Sequence, residues 1–384
     1  MYNNPSFLHY LQNPQLSSVE EQWKLLPVAP ILETVFALEL VQQYLVGCTS
    51  RGRILVWDIP QLPRMEEDEE ETMAGDTYNG DPVAIFHLDL GLGTTNCLND
   101  LYAMEYLETA QGKQLLMVAG DGGVYLLNWK QQILTQLKRS TKDSSASSTL
   151  QPFQTYRLHP HPQQTTECND LCVSSSDHLF AAAGDAFGCY KWNLATSQLV
   201  TTYAPKKQQR SSYLHTVSNN GSVVLIGGEA STLELWDGQK DERIAVLPTQ
   251  MECVTCSTGA TTDWWTIGGG TNTNTRGMVA TYHGPTRSLV QETATDAVVQ
   301  QIHPTAYKSS ILSVGQEPWV SHWAAASSLQ SCDKVRCESE RSFAVACSTT
   351  YVAVGGTGSV VDVFVEQHVP YCQLRVPPIS SSSL

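Results

Sequence analysis

The chain has 384 residues, 41% of them hydrophobic, and a formal net charge of −15, which suits a folded protein with a sizeable core. The acidic balance disfavours direct binding of nucleic acid, whose phosphates attract basic surfaces. We expect neither a membrane span nor a secretory signal, because the sequence has no apolar stretch of about 18 residues and the start Met1–Pro5 has no basic leader.

Residues 1–33 precede the first predicted strand, Thr34–Leu40. Apolar side chains in this segment, such as Phe7, Leu11 and Trp23, are too numerous for a free tail. We therefore expect an N-terminal strap or short helix packed on the domain that follows.

From residue 44 onward, a run of small apolar residues ends at a glycine seven times, and a strand ending at an aromatic residue follows each run. The closing aromatics are Trp57, Trp129, Trp192, Trp236, Tyr282, Trp323 and Phe364. A recurring interval of roughly 40 residues with four short strands per unit is typical of a β-propeller. The sequence predicts an all-β, seven-bladed WD-repeat β-propeller over residues 34–377, with a Ser-rich tail at 378–384.

The pattern also predicts what each part of a blade does. An unbroken apolar run indicates a strand buried on both faces, and we interpret the glycine after it as a tight turn at positive φ. The aromatic residue is expected to pack against the neighbouring blade. Tyr371–Val376 is predicted to be an outer strand, so the ring closes either without exchange of strands between the termini or by a variant of it.

Two insertions interrupt the repeat. The first, at about 60–82, contains the acidic run Glu66–Glu71. We interpret it as a solvated, disordered loop, with an acidic binding segment for a basic partner as the alternative. The second, at about 140–166, is rich in Ser, Thr, Gln and Pro and is predicted to be a disordered linker. Its two histidines, His159 and His161, are too few for a convincing metal site.

The eleven cysteines are interpreted as free thiols packed like small apolar residues. Cys253 and Cys256 have the spacing of a redox or zinc motif, but they fall in a predicted inner strand over Met251–Ser257. Residues three apart on a strand point to opposite faces, so the sequence favours two structural cysteines.

No residue pattern indicates an enzyme, a cofactor or a metal site. The glycine clusters Gly268–Gly270 and Gly355–Gly358 each follow a repeat strand and lead into another strand, whereas a phosphate-binding loop leads into a helix. We interpret both clusters as hairpin turns. The sequence therefore predicts a non-catalytic protein.

Asn99-Asp100 and Asn169-Asp170 are interpreted as occupying matching places at the start of two inner strands. Such residues either bond nearby backbone amides or face a partner at the top of the ring. The structural role is favoured, and Asp100 and Asp170 are the candidate partner contacts.

Several segments of the C-terminal half resemble the family of subunit six of the THO complex, a WD-repeat family of the nuclear mRNA-export (TREX) machinery. They are Asp263–Gly270, Ile311–Trp323 and Val354–Phe364, with further likeness at Ile226–Glu229 and Leu235–Asp237. The N-terminal half is similar only in its blade pattern, and both insertions depart from the compact family form. The resemblance implies a nuclear scaffold that docks on coiled-coil THO subunits, in an assembly that recruits a DEAD-box ATPase and packages mRNA for export.

A second hypothesis is another WD-repeat scaffold, such as the substrate receptor of a cullin ubiquitin ligase. These receptors usually present Trp-Asp-x-Arg at the end of a blade strand. The sequence has Pro60 and Gln239 where that arginine belongs. This departure weakens the second hypothesis.

Overall fold

A computed structural model describes residues 33–378, apart from 60–78, 92–99, 110, 141–147, 159–165, 175–176, 185–187, 204–212, 230, 262, 272–275, 306–309, 325–328 and 366–368. The described residues form seven sheets arranged as a seven-bladed β-propeller, which confirms the predicted fold class. The first strand of each blade lies at the centre, because these strands contact one another in a closed ring.

Each blade has four antiparallel strands, ordered from the centre outward. Blades one and two contain β1 (Val35–Val41), β2 (Tyr44–Thr49), β3 (Arg53–Asp58) and β5 (Ala84–Leu88), then β6 (Leu101–Glu108), β7 (Gln114–Gly120), β8 (Gly123–Asn128) and β10 (Gln154–Arg157). Blades three and four contain β11 (Cys168–Val173), β12 (His178–Ala183), β13 (Gly188–Asn193) and β14 (Leu199–Tyr203), then β15 (Leu214–Asn220), β16 (Val223–Gly228), β17 (Thr232–Asp237) and β18 (Glu242–Pro248). Blades five and six contain β19 (Cys253–Thr261), β20 (Trp264–Gly270), β21 (Gly277–His283) and β22 (Ser288–Thr295), then β23 (Val299–Pro304), β24 (Ser310–Gly315), β25 (Glu317–Ala324) and β26 (Gln330–Arg336). Blade seven contains β27 (Ser342–Cys347), β28 (Tyr351–Gly356), β29 (Val360–Val365) and β30 (Val369–Arg375).

Two further strands extend blade edges. The strand β4 (Asn79–Gly80) pairs in parallel with β30 of blade seven, and β9 (Ser148–Leu150) pairs in parallel with β5 of blade one. Before β9, a π-helical turn over Trp129–Leu134 leads into the short helix α1 (Thr135–Ser140). Each insertion thus adds a strand to the outer edge of the preceding blade.

These strands correct the interpretation of the second insertion as a linker. Within 140–166, residues 148–150 form β9 and residues 154–157 form β10, the outer strand of blade two. The sequence does not signal β10 because this outer strand is only partly buried and needs no apolar run. The acidic run of the first insertion and the histidines at 159 and 161 lie outside the described residues.

The core consists of seven apolar clusters, and each lies between two neighbouring blades. We call each of these contacts a seam. The second strands are buried along almost their whole length, as the unbroken apolar runs predict; Leu45, Val46 and Leu116 are 0% exposed. No blade could bury both of its faces alone, so the ring stabilises each blade through its two seams.

The repeat glycines have a different role from the predicted one. In blade four, a Cβ on Gly228 would lie 2.0 Å from the carbonyl oxygen of Tyr213, and in blade seven a Cβ on Gly356 would lie 1.9 Å from that of Arg341. Neither glycine has a positive φ. Glycine at these positions therefore leaves room for the carbonyl group just before the inner strand, and it does not form a turn. Gly268–Gly270 likewise lie inside β20, so they are not a hairpin turn.

The ring closes without exchange of strands, because blades one and seven are each built around four strands of their own. Arg53 in blade one bonds the carboxylate of Glu33 and the carbonyl oxygen of Pro377, at the two ends of the described chain. The indole Nε1 of Trp57 donates to the carbonyl oxygen of Arg375 at 3.3 Å. Together with the pairing of β4 and β30, these contacts stabilise the seam between blades seven and one, which are the one pair of neighbouring blades not consecutive in the chain.

Candidate functional site

The inner strands share one irregularity at the end of the ring where they begin, which we call the top. Each contains a β-bulge, a single extra residue close to its first residue. The bulged residues, from blade one to blade seven, are Phe36, Tyr102, Asn169, His215, Thr255, Gln300 and Phe343. A bulge re-aims its side chain, so these seven residues surround the top mouth of the central channel.

One side of this mouth is aromatic. The ring of Phe36 lies 5.7 Å from that of Phe343 in an edge-on contact and 5.7 Å from that of Tyr102, centroid to centroid. These three side chains are half-buried and form the aromatic arc, which spans blades seven, one and two. The other four bulged residues are polar, so the mouth is chemically two-sided.

Carboxylates lie beside the aromatic arc. The backbone N–H of Asp100 donates to Asp121 Oδ2 at 3.0 Å, and the Tyr102 hydroxyl lies 3.5 Å from Asp121 Oδ1. Burial, together with the negative charges of Asp121 and Glu167, raises the pKa of Asp100 to about 7, and the positive charge of Arg51 opposes this shift. We call Asp100, Asp121 and Glu167 the acidic mouth. Mutual repulsion in a partly desolvated site favours a bound cation.

The arrangement fits one kind of ligand group. A guanidinium or ammonium placed between the acidic mouth and the aromatic arc would meet carboxylates on one side and ring faces on the other. Such a group would also stabilise the ionised form of Asp100. The mouth is therefore suited to an Arg or Lys side chain of a partner protein.

Asp170, the other predicted contact, uses both of its carboxylate oxygens in hydrogen bonds within the ring. Its Oδ2 accepts hydrogen bonds from the Thr216 hydroxyl at 2.8 Å and the Val217 N–H at 3.0 Å, both in blade four, and its Oδ1 accepts from Leu171 N–H at 2.8 Å. Although burial raises its pKa to about 6, these bonds oppose the shift. Asp170 braces the seam between blades three and four.

The supposed equivalence of Asp100 and Asp170 is wrong by register. Asp100 precedes the first strand residue, Leu101, which pairs with Gly120. The matching residue in blade three is Cys168, which pairs with Ala183, so Asp100 corresponds to Glu167. Asp170 follows the bulge and lies inside the strand. The two Asn-Asp pairs look alike in the sequence, but they occupy different positions relative to the bulge. The position of the bulge cannot be read from the sequence.

Two carboxyl groups deeper in the channel were missed by sequence reasoning. Burial raises the pKa of Glu39 in β1 to about 8, and burial with the charge of Glu39 does the same for Glu105 in β6. Glu39 accepts the backbone N–H of Tyr106, and Glu105 accepts that of Val173, so each reaches the next blade. A charged residue between two apolar neighbours, as in Leu38-Glu39-Leu40, is the signal that could have found them.

The seven aromatics that end the third strands each lie in the seam with the preceding blade. Trp57 packs with blade seven, and Trp236 stacks on Tyr203 of blade three at 4.7 Å between ring centroids. The other five, packed in the same way, are Trp129, Trp192, Tyr282, Trp323 and Phe364. Their positions are architectural rather than ligand-binding.

The described cysteines are free thiols. Cys256 packs beside Val299 in the seam with blade six, whereas Cys253 lies near the charge of Glu229 in blade four. Burial raises the pKa of Cys253 to about 11 and that of Cys256 to about 12, so neither is an activated thiolate. The bulge at Thr255 separates the two residues, so the simple strand alternation does not apply there.

Among the described residues, no group of three or more His, Cys, Asp or Glu side chains is placed to hold a metal ion. None of the helices in the described part of the chain has the length and hydropathy needed to cross a membrane. Comparisons with known proteins find no family model that matches the sequence and no significant match among curated proteins.

Proposed function

We propose that this propeller is a non-catalytic protein-interaction scaffold whose top mouth binds a basic segment of a partner, and that it serves as a THO-type subunit in nuclear assembly of mRNA–protein particles. The WD-repeat-like fold is typical of scaffolds, which supports the first part. The acidic net charge supports contact with protein rather than RNA.

The observation that carries the docking role is the contact between the aromatic arc and the acidic mouth. Tyr102 belongs to both, since its ring lies against Phe36 and its hydroxyl reaches Asp121. Asp100 is half-buried there with two carboxylates as its strongest charged neighbours. A cationic partner would relieve this repulsion, and an enzyme-like arrangement of nucleophile and base is not needed to explain the site.

The assignment to a THO-type assembly rests on the sequence resemblance in the last three blades. In the fold, Trp264–Gly270 is β20, Ile311–Gly315 belongs to β24 and Val361–Phe364 belongs to β29. These strands build the seams of blades five to seven. The proposed partners are coiled-coil THO subunits, with a DEAD-box ATPase bound indirectly, and the proposed location is the nucleus.

A receptor for a cullin ubiquitin ligase is less well supported. Asp237 uses its Oδ1 to accept the N–H groups of Gln239 and Lys240, at 2.9 and 3.0 Å, and so caps the turn after the strand. Asp58 is 7% exposed. Neither aspartate is followed by the arginine that such receptors present.

Affinity purification of the tagged full chain from nuclear extract tests the proposed assembly. Recovery of coiled-coil THO subunits in stoichiometric amounts is the expected result. Recovery of a cullin adaptor or of a cytoplasmic coat would contradict the assignment, while leaving open the docking role of the mouth.

The docking role has its own test, with a fluorescent oligo-arginine peptide as the probe and anisotropy as the measurement. Asp100→Asn should weaken binding by about fivefold and reduce its salt dependence, as removal of one charge from a docking site does. Binding to the wild type should strengthen from about pH 6 to 8, as Asp100 ionises. The matched control is Asp333→Asn on the exposed outer strand of blade six, and an equal loss there would refute the site.

A further inference from the structure

A pocket of about 310 Å³ opens between blades three and four at the bottom, the end of the ring opposite the top mouth. Phe180 and Val224 form its apolar part, while Ser222 and Gln239 supply polar groups from two turns of blade four. The volume lies at the lower end of the range for sites that hold a ligand or an anchoring side chain. The pocket lies at the lower end of the seam between these two blades and is separate from the mouth.

The pocket is preformed, because its walls are held by short hydrogen bonds. Gly238 donates its N–H to the carbonyl oxygen of Ser222 at 2.6 Å, and its own carbonyl accepts from Lys191 Nζ at 2.7 Å. A Cβ on Gly238 would lie 3.1 Å from Val224 and 3.5 Å from Phe180, so a side chain there would enter the pocket. Glycine at 238 keeps this space open.

The electrostatics of the pocket specify a neutral occupant. Its lining residues carry no charge. The nearest buried cation, Lys191, is 3% exposed and is neutralised by Asp241, whose Oδ1 lies 2.8 Å from Nζ. A phosphate or a basic side chain would find no counter-charge in this pocket, unlike at the top mouth.

Exposed aliphatic side chains lie on the same side of the molecule. Of the seven large hydrophobic residues that are exposed in the described part of the chain, five lie on the outer strands of blades three to five. Leu199 and Val200, at 52% and 45% exposure, begin β14 at the bottom of blade three. The others are Val246 in β18 and Leu289 and Val290 in β22. Leu199 and Val200 are neighbours, so they give a small apolar contact surface on the blade whose Phe180 lines the pocket.

We propose that the bottom of blades three and four is a second docking site, which takes an uncharged segment of a partner protein with one Asn or Gln side chain inserted in the pocket, where Ser222 and Gln239 offer hydrogen-bonding groups. The segment's flanking residues lie along Leu199 and Val200. This site is separate from the mouth in position and in chemistry. Together the two sites make the propeller a bridge between two partners.

Selection of a phage-displayed library of short random peptides on the immobilised full chain tests this second site. The expected peptides are uncharged at their centre and share one Asn or Gln there. Their affinity should fall about tenfold in Ser222→Trp, which fills the exposed rim of the pocket. The control, Ser231→Trp, places the same side chain on an exposed position at the top of the same blade and should bind normally.

Three outcomes would overturn the proposal. The first is that the selected peptides are basic. The second is that they bind Ser222→Trp as tightly as the wild type, while thermal melting shows that both proteins are folded. Alternatively, sedimentation shows a dimer that Ser222→Trp abolishes, which would assign the surface to a second copy of the chain. By contrast, if Leu199→Asp also lowers peptide affinity without changing the melting temperature, the result would support the extension of the site to the exposed strand.

Discussion

Lys191 in blade three and Asp241 in blade four form an ion pair across their seam, with Nζ 2.8 Å from Oδ1. The Tyr203 hydroxyl donates to the same oxygen at 2.6 Å, so the carboxylate joins a strand of blade three to a turn of blade four. Lysine is rarely buried to this degree without a partner. The pair therefore fixes how these two blades meet.

Lys191→Met should destabilise the propeller by about 2–3 kcal/mol, because it leaves the Asp241 carboxylate without its counter-charge and the Gly238 carbonyl without its side-chain donor. Lys240→Met, at an exposed neighbouring position, should change the free energy of unfolding by less than about 0.5 kcal/mol. Denaturant unfolding measures both values. Equal effects of the two substitutions would show that the ion pair adds nothing to the seam.

Gly228→Ala should cost about 3 kcal/mol, since the new methyl would overlap the Tyr213 carbonyl and force the inner strand to shift. Gly221→Ala offers the contrast: its Cβ would meet nothing within 4 Å, but its φ of +65° disfavours a side chain. That backbone cost is about 1 kcal/mol. Thermal melts that rank Gly221→Ala as the worse substitution would contradict the proposed role of the repeat glycines.

A rise in pH from about 4.5 to 8 should weaken the channel wall at Glu39 and Glu105. Their pKa values rise to about 8 on folding, so the folded state holds protons that the unfolded state has lost. The resulting stability is complete below about pH 4.5 and is lost as pH rises to about 8. The double variant Glu39→Gln, Glu105→Gln should melt at a higher temperature than the wild type at about pH 8.5.

The same double variant should differ little from the wild type at about pH 4, where both glutamates are neutral in either state. Asp362→Asn is a useful comparison in blade seven, because burial raises the pKa of Asp362 only to about 6. The difference in stability between Asp362→Asn and the wild type should therefore stop increasing at a lower pH. Curves that stay parallel from pH 4 to 9 would argue that the channel glutamates do not titrate in this way.

Arg53→Met should destabilise ring closure by roughly 3–5 kcal/mol, because it leaves the buried Glu33 carboxylate uncompensated. Burial already raises the pKa of Glu33 against the attraction of Arg53. Adding Glu33→Gln to Arg53→Met should recover part of the lost stability, as measured by denaturant unfolding. No recovery in the double variant would place the effect of Arg53 in its bond to Pro377 instead.

Two deletions in the first insertion should behave differently. Removal of residues 62–76 should leave the melting temperature nearly unchanged, as expected for a solvated acidic loop. Removal of 62–80 also deletes β4 and its parallel pairing with β30, so it should lower the melting temperature by a few degrees. A shorter deletion that costs as much as the longer one would show that the acidic run itself contributes to folding.

Much of the fold could be predicted because blade seams impose a pattern on the sequence. Unbroken apolar runs such as Leu115–Ala119 indicate second strands that are buried on both faces. Aromatic residues such as Trp57 and Trp192 indicate the third strand of the blade. The outer strand β10 had no such pattern, since only Tyr156 among its residues is buried. Burial therefore decides which strands the sequence reveals.

The candidate site was harder to predict because it depends on register. Asp100 was singled out for the right end of the ring, but Phe36, Tyr102 and Phe343 were not, since nothing in their local sequence marks a bulge. Phe343 and Phe36 come together only where blade seven meets blade one. Contacts across the closure of a ring join residues more than 300 positions apart, and no short motif records them.

The contacts of Arg53 place Glu33 and Pro377 beside each other, so the beginning and end of the propeller meet at one point of the ring. Since each blade keeps its own strands, no blade has to be made first or last. A short linker from 377 to 33, with new ends cut between blades three and four, should yield a circular permutant with the same ring. The order of the blades in space, rather than the position of the chain ends, defines this molecule.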